Sequence, residues 1–323
     1  MLKTVAASVA GLALVGFILW FYDIREIASA FAAVGFALLP LIAARAAAIA
    51  LVGVAWRYLA GVQAPALQTF IALRVVREGV NNLLPVAQVG GEIVGARLLA
   101  KAGLPGARAG ATVLVDMLLQ VGTQMIFAVV GICLLVWQGT GSAIAWSAAA
   151  ATAVGLLAVA GFFFAQRHGL ALIDTFLKRQ VETNNWSFIG SVADLNLAVQ
   201  EIWRDRLAVV RSFTVHLATW FFGAVEVWIV MSALGIPITL AEALVIESLG
   251  HAVRGAAFAV PGALGVQEGG FIALCAIYGI AAPAAIVLSL AKRVPDLVIG
   301  IPGLLIWYRW EARSGAGRSA SSS

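Results

Sequence analysis

Apolar runs of about twenty residues recur along the whole chain, at 3–22, 34–56, 109–137, 143–165, 208–232 and 284–308. A run of that length is what a helix needs to cross the hydrocarbon core of a bilayer. Inside lipid every backbone amide and carbonyl has to be satisfied within the protein, so the runs are expected to be transmembrane helices. Charged residues make up 11% of the 323, against about 25% in a soluble domain, and mean hydropathy is +0.98. No polar stretch is long enough for a separate soluble domain. The chain therefore reads as a single membrane domain over 1–323, with an approximate first half at 1–137 and a second at 205–310. The run behind Lys3 reads as an uncleaved first helix, because no small-residue cleavage pattern precedes Tyr22 and Asp23. Cys133 and Cys275 lie in apolar runs and read as small buried hydrophobes, with no metal-ligand or disulfide spacing.

Two stretches resist reading as simple spans. Segment 66–100 holds Arg74, Arg77, Glu78, Asn81 and Asn82, then Pro85, then Gly90, Gly91 and Glu92. Segment 240–280 holds Glu247, His251 and Arg254, then Pro261 and Gly262, then Gly265 and Glu268. Each is expected to form two short helices around a proline and glycine break. Basic residues mark cytoplasmic loops: Arg97, Lys101 and Arg108; Arg167, Lys178, Arg179, Arg204 and Arg206; and Arg309, Arg313 and Arg318. With both termini cytoplasmic, 66–100 must enter and leave from inside and 240–280 from outside. The expected fold class is thus an all-α polytopic membrane protein of the bacterial inner membrane. It has six full transmembrane helices plus two oppositely oriented re-entrant broken-helix hairpins, in the inverted-repeat plan of many transporters. The interval from Pro85 to Glu92 equals that from Pro261 to Glu268. Between the halves, 166–207 is a cytoplasmic connector. Within it, Ile189, Val192, Leu195, Val199 and Ile202 give 186–203 an apolar stripe, which suits either the membrane surface or the side of the bundle. The tail at 311–323 is expected to be disordered.

Thirteen ionisable side chains fall inside these segments: Arg45, Arg74, Arg77, Arg254, Lys292 and Arg293 against Glu78, Glu92, Asp116, Glu226, Glu247, Glu268 and Asp296. Each would cost roughly 2.5–3.5 kcal/mol at a lipid-facing helix centre. All are therefore expected to face inward and to pair. Helical spacing suggests Arg74 with Glu78, Glu78 with Asn82, Glu247 with His251 and Arg254, and both Lys292 and Arg293 with Asp296. Asp116, Gln120 and Gln124 form a polar stripe on one span. His216 and Glu226, ten residues apart, receive no role. The structural alternative, that such pairs merely hold broken helices together, applies to any single residue; thirteen together point to a central polar site.

Asn81-Asn82-Leu83-Leu84-Pro85, then Gly90-Gly91-Glu92 and Arg97-Leu98-Leu99, resembles the lysylphosphatidylglycerol synthase transmembrane, or flippase-like, family. Pro261-Gly262-Ala263-Leu264-Gly265-Val266-Gln267-Glu268-Gly269-Gly270 resembles its second signature, most like the hopanoid-associated HpnL-like branch. The resemblance implies a lipid transporter carrying a hopanoid or phospholipid, without the aminoacyltransferase domain of the larger synthases and so not an enzyme. Candidate substrate-binding residues are Arg77, Asn81, Asn82, Gly90, Gly91, Glu92, Arg254, Gly262, Gly265 and Glu268. Structural or gating candidates are Arg74, Glu78, Pro85, Asp116, Glu247, His251, Pro261, Lys292, Arg293 and Asp296. No cofactor, metal or nucleic acid is expected; a second copy of the chain or hopanoid-biosynthesis proteins are candidate partners. Two rival readings stay open: an enzyme modifying lipid head groups, with Glu92, Glu268, Asp116 and His251 as acid and base, and a scaffold that recruits a synthase.

Overall fold

A computed structural model describes Ser29 and residues 31–62, 64–84, 90–139, 191–256 and 265–320. Every regular element among them is helical. In chain order these are α1 (Leu38–Leu59), α2 (Leu67–Leu83), α3 (Gly90–Lys101), α4 (Gly106–Trp137), α5 (Val192–Arg204), α6 (Arg206–Ala233), α7 (Leu240–Ala256), α8 (Val266–Ile277) and α9 (Ala282–Ala320). Among the described residues three helical stretches are long and apolar enough to cross a membrane: Phe31–Leu59, Gly106–Trp137 and Arg206–Ala233. They carry the runs expected at 34–56, 109–137 and 208–232. The run at 284–308 lies within α9, which is 39 residues long and contains Pro295 and Pro302. The expected spans at 3–22 and 143–165, the breaks with Pro85, Pro261 and Gly262, and most of the connector lie outside the described residues.

Among the described residues each interrupted segment holds a pair of helices, one on either side of its break. Helices α2 and α7 have 17 residues each, α3 and α8 have 12 each. At 1.5 Å per residue, the 12-residue limbs reach about 18 Å, well short of the ~30 Å apolar core. Side chains fix their starts. The Gly265 amide, in a left-handed turn at φ +76°, donates to Glu268 Oε2 at 2.7 Å and opens α8. Thr239 and Glu242 cap α7 reciprocally, with N–H to side-chain oxygen distances of 2.6 and 3.2 Å.

Packing runs across the two halves. Helix α1 lies on α6, while α2 packs on α9 and α7 on α4. Lipid tails give apolar helices no hydrophobic reason to associate, so close contact depends on small residues. Where α2 meets α9, a Cβ on Gly79 would sit 2.5 Å from the Gly300 carbonyl oxygen, and one on Gly303 would sit 2.3 Å from that of Val75. Trp56 stacks edge-on against Phe70, with ring centroids 5.2 Å apart, in the core between α1 and α2. The amphipathic helix α5 is capped by Ser191 and Asp194. It buries Leu195, Ala198 and Ile202 against Leu59, Ala111, Val115 and Leu119, so its apolar stripe is spent on protein. Cys275 is buried as expected, but Cys133 is exposed. The correction has a simple cause: a spanning helix in lipid turns part of its apolar surface outward, and Val130 and Val136 of α4 are exposed with it.

One polar contact outside the apolar spans ties α9 to α3. Glu311 pairs with Arg97 and accepts from Lys101 Nζ at 2.6 Å. Partial burial works against its charge, but the two cationic donors prevail and hold the Glu311 carboxyl below the usual range. A depressed carboxyl stabilises the folded state above its unfolded pKa and stops doing so as pH falls through the folded value. Acidification below the ordinary carboxylate range is therefore expected to loosen this contact. Hydrogen exchange over 97–101 and 305–312 should rise at low pH in wild type, and Glu311→Gln should show the faster exchange already at pH 7.

Candidate functional site

The first polar network grows from α2. Arg77 is completely buried, and the interior admits it because Gly95 of α3 has no side chain: a Cβ there would stand 2.9 Å from Arg77 Cγ and Cδ. Its guanidinium lies 4.7 Å from the Trp56 ring centroid, donates from Nη1 to Asp116 Oδ2 at 2.8 Å and pairs with Glu92. The other oxygen of Asp116 meets His216 Nε2 at 2.9 Å. Asn81 links the limbs of the hairpin, accepting from the Gly91 amide at 2.8 Å and donating to Glu92 Oε1 at 3.2 Å. One turn away, Arg74 pairs with Glu78, which accepts from Asn82 Nδ2 at 3.1 Å. These i,i+4 partners are the ones helical spacing suggests.

A second network centres on Lys292 of α9. Its ammonium donates to Glu226 Oε2 at 2.7 Å and Glu247 Oε1 at 2.9 Å. Glu226 also takes a bidentate pair from Arg45 Nε and Nη2 at 2.7 and 2.6 Å, a strong geometry for a guanidinium. Arg45 Nη1 reaches Asp296 at 3.2 Å, and His251 Nε2 lies 2.9 Å from Glu247 Oε1. Glu247 needs room, and Gly223 gives it, since a Cβ there would fall 2.1 Å from Glu247 Oε1. Arg293 donates from Nε and Nη2 to Glu268 Oε1 at 2.9 and 2.8 Å. Arg254 joins the two interrupted segments: it donates to Asn82 Oδ1 at 3.0 Å and to Gln267 Oε1 at 3.2 Å, and lies 3.9 Å from Asp296.

All thirteen interior charges thus have an ionic partner within 4 Å. The expected pairing of Lys292 and Arg293 with Asp296 is corrected: Lys292 turns to Glu226 and Glu247, Arg293 to Glu268, and Asp296 is met by Arg45 and Arg254. Residues three or four apart on a helix are neighbours, but here the partners are brought in by α1, α6, α7 and α8.

Between the networks lies a cavity of about 300 Å³. Its wall includes Asn81, Asn82, Glu92 and Arg254, as expected of substrate contacts, and also Arg74, Glu78, Glu247 and His251, expected only to be structural or gating. Arg77, Asp116, Lys292 and Asp296 stand outside that wall and pair with groups that form it, while Glu268 and Arg293 stand outside it and pair with each other. Gly90, Gly91 and Gly265 do not line it either. The Gly91 and Gly265 amides, expected to face a head group, are taken up by Asn81 and Glu268. Gly91 serves close approach: a Cβ there would meet the Arg77 carbonyl at 2.5 Å.

Sequence reasoning passed over three residues of this site. Arg45 was read only as an interior charge, and His216 and Glu226 as having no role, yet all three line the cavity. Trp220 joins them, its ring 5.0 Å from that of His251 and its Nε1 3.1 Å from Thr123 Oγ1. The one available signal was that an ionisable group inside an apolar span needs a partner somewhere.

Among the described residues no group of three or more His, Cys, Asp or Glu is placed to hold a metal ion. No curated protein and no solved structure matches the chain. A family model, described as the lysylphosphatidylglycerol synthase TM region, matches residues 5–303. That stretch takes in both interrupted segments, both polar networks and the cavity. Together with the apolar helices it makes this a multi-pass membrane protein with a lipid-related setting. By that match over nearly its whole length, the chain belongs to the lysylphosphatidylglycerol synthase TM region family.

Proposed function

We propose that the protein is a lipid transporter of the flippase kind, moving a hopanoid or a phospholipid across or out of the bacterial inner membrane by alternating access around the polar cavity. The observation that carries this reading is a set of paired ionic groups, drawn from both halves of the chain, around one cavity that α2, α3 and α7 help to line. In this reading six helices cross the bilayer, both termini are cytoplasmic, and the two hairpins enter from opposite faces. The equal intervals from Pro85 to Glu92 and from Pro261 to Glu268 support an inverted repeat. A cavity of 300 Å³ lies at the small end of ligand pockets. It suits a head group, while rings or acyl chains stay in lipid.

Transport then needs the cavity to open to one face at a time. Because α2 packs on α9 and α7 on α4, the moving bodies are not the sequence halves themselves. Helix α2 travels with α9 and α7 with α4, and the Arg254–Asn82, Arg77–Asp116 and Lys292–Glu247 contacts latch the two bodies together. Glu92, Asn81, Asn82 and Arg254 contact the head group. Glu268 acts at one remove, holding Arg293 against α8. Any energy input comes from a gradient, an ion or a partner.

The test is reconstitution with tail-labelled lipids. Wild-type protein should move lipid between leaflets faster than protein-free liposomes, and a rate equal to theirs for every lipid tried removes the reading. Glu92→Gln and Glu268→Gln, in protein that still purifies as a single species, should each lower the rate by about tenfold or more. Unchanged transport in both would favour a scaffold.

A further inference from the structure

The two halves present opposite charges to the cavity from corresponding places. Arg74 lies seven residues beyond Leu67, the first of α2, and Glu247 lies seven beyond Leu240, the first of α7. Behind them, Asp116 lies ten residues beyond Gly106 at the start of α4, and Lys292 ten beyond Ala282 at the start of α9. The frame repeats, but the signs reverse. One side of the cavity has a base in front and an acid behind; the other has an acid in front and a base behind.

Both front groups line the cavity, and both are deeply buried, with relative exposures of 6% for Arg74 and 0% for Glu247. Among the described residues each is only half satisfied. Arg74 gives Nη2 to Glu78, while its Nε and Nη1 have no hydrogen-bond partner. Glu247 holds Oε1 against Lys292 and His251, while its Oε2 has none. Buried polar atoms are almost always paired, so an exception calls for an explanation. Glu92 Oε2, also on the wall, lacks a hydrogen bond but lies against Arg77; the two remaining exceptions, of opposite sign and at repeat-related positions on one cavity, have a common explanation.

We infer that the cavity receives a zwitterionic lipid head group, with an anionic centre of the phosphodiester class at Arg74 and a cationic centre of the ammonium class at Glu247. A purely anionic head would meet Arg74 but also face the carboxylates of Glu78, Glu92, Glu226 and Glu247. A purely cationic one would meet Glu247 but face the guanidinium groups of Arg45, Arg74 and Arg254. A neutral polyol would leave both front charges without a counter-charge. Only a head carrying both signs is attracted at both walls, and the same arrangement penalises the competitors. This inference rests on the lipid-carrier reading above and selects, between its two lipid classes, the phospholipid.

The experiment uses the full chain in liposomes and three tail-labelled probes: phosphatidylethanolamine, phosphatidylglycerol and a neutral glucosyl-diacylglycerol. Wild type should move phosphatidylethanolamine about tenfold faster than either of the others, the discrimination that one charged hydrogen bond supplies. Arg74→Gln and Glu247→Gln should each erase that preference. Arg74→Lys, which keeps the charge but not the planar fork, should retain part of it. Thermal unfolding of each variant separates loss of preference from loss of fold, and the ratio between probes is read within one preparation, so a smaller folded fraction does not alter it. Equal rates for the three probes, or faster movement of the anionic or neutral one, overturn the inference while leaving a lipid carrier standing. Movement of none overturns both.

Discussion

Arg77→Met is expected to cost about 3–5 kcal/mol of stability, the usual penalty for stranding one member of a buried ion pair. Arg77 is completely buried between Glu92, Asp116 and the Trp56 ring. Methionine fills much of the space beside Gly95 but leaves two carboxylates facing each other without a cation. Total stabilities lie around 5–15 kcal/mol, so the loss should show as a large fall in unfolding temperature in detergent and as a smaller yield of monodisperse protein. Removing Asp116 as well, in Arg77→Met with Asp116→Leu, should recover part of the loss, because contacting residues are not additive. A single variant as stable as wild type would mean that the network does not hold the hairpin.

Gly303→Leu should be nearly as damaging, through sterics instead of charge. The Val75 carbonyl oxygen would lie 2.3 Å from the new Cβ, and backbone cannot turn aside as a side chain can. Helices α2 and α9 would have to part, carrying Arg74, Glu78 and Asn82 away from Lys292, Arg293 and Asp296. A displacement near 1 Å can cost about a hundredfold in rate, so transport should fall by that order even where folded protein is recovered. Gly269→Ala is the contrast. Nothing lies within 4 Å of a Cβ there, and replacing a glycine inside a helix typically gains roughly 0.5–1 kcal/mol. Unfolding midpoints of the two variants should move in opposite directions; a Gly303→Leu protein with wild-type stability and transport would show that the α2–α9 approach is not required.

How much of this was legible in the sequence depended on distance along the chain. The helices α1, α4 and α6 were written in apolar runs, and the interrupted segments in prolines, glycines and charges at close intervals. Arg74 with Glu78 and Glu78 with Asn82 were readable because one turn of helix brings them together. The bond from Arg45 to Glu226 spans 181 residues and that from Arg77 to Asp116 spans 39, and no periodicity encodes such meetings. Glycines are hard to read for a related reason. Gly91, Gly95 and Gly223 each make room for a polar group whose position only the packing reveals. The division of labour followed the same rule. Arg77 and Glu268 carry charges that looked suited to a ligand, but burial and existing partners place them behind the cavity, and Arg74 and Glu247 in front.

The seating of α2 on α9 has a consequence for biosynthesis. Gly79 meets Gly300, which leaves the ribosome some 220 residues later. At roughly 5–20 residues per second, the Val75 and Gly79 face of α2 waits on the order of 10–45 seconds for the neighbour that will cover it. During that interval Arg74 and Arg77 have their ionic partners Glu78, Glu92 and Asp116 close behind them in the growing chain, so what stands bare in the bilayer is the small-residue face of α2, open to any other helix that can approach as closely.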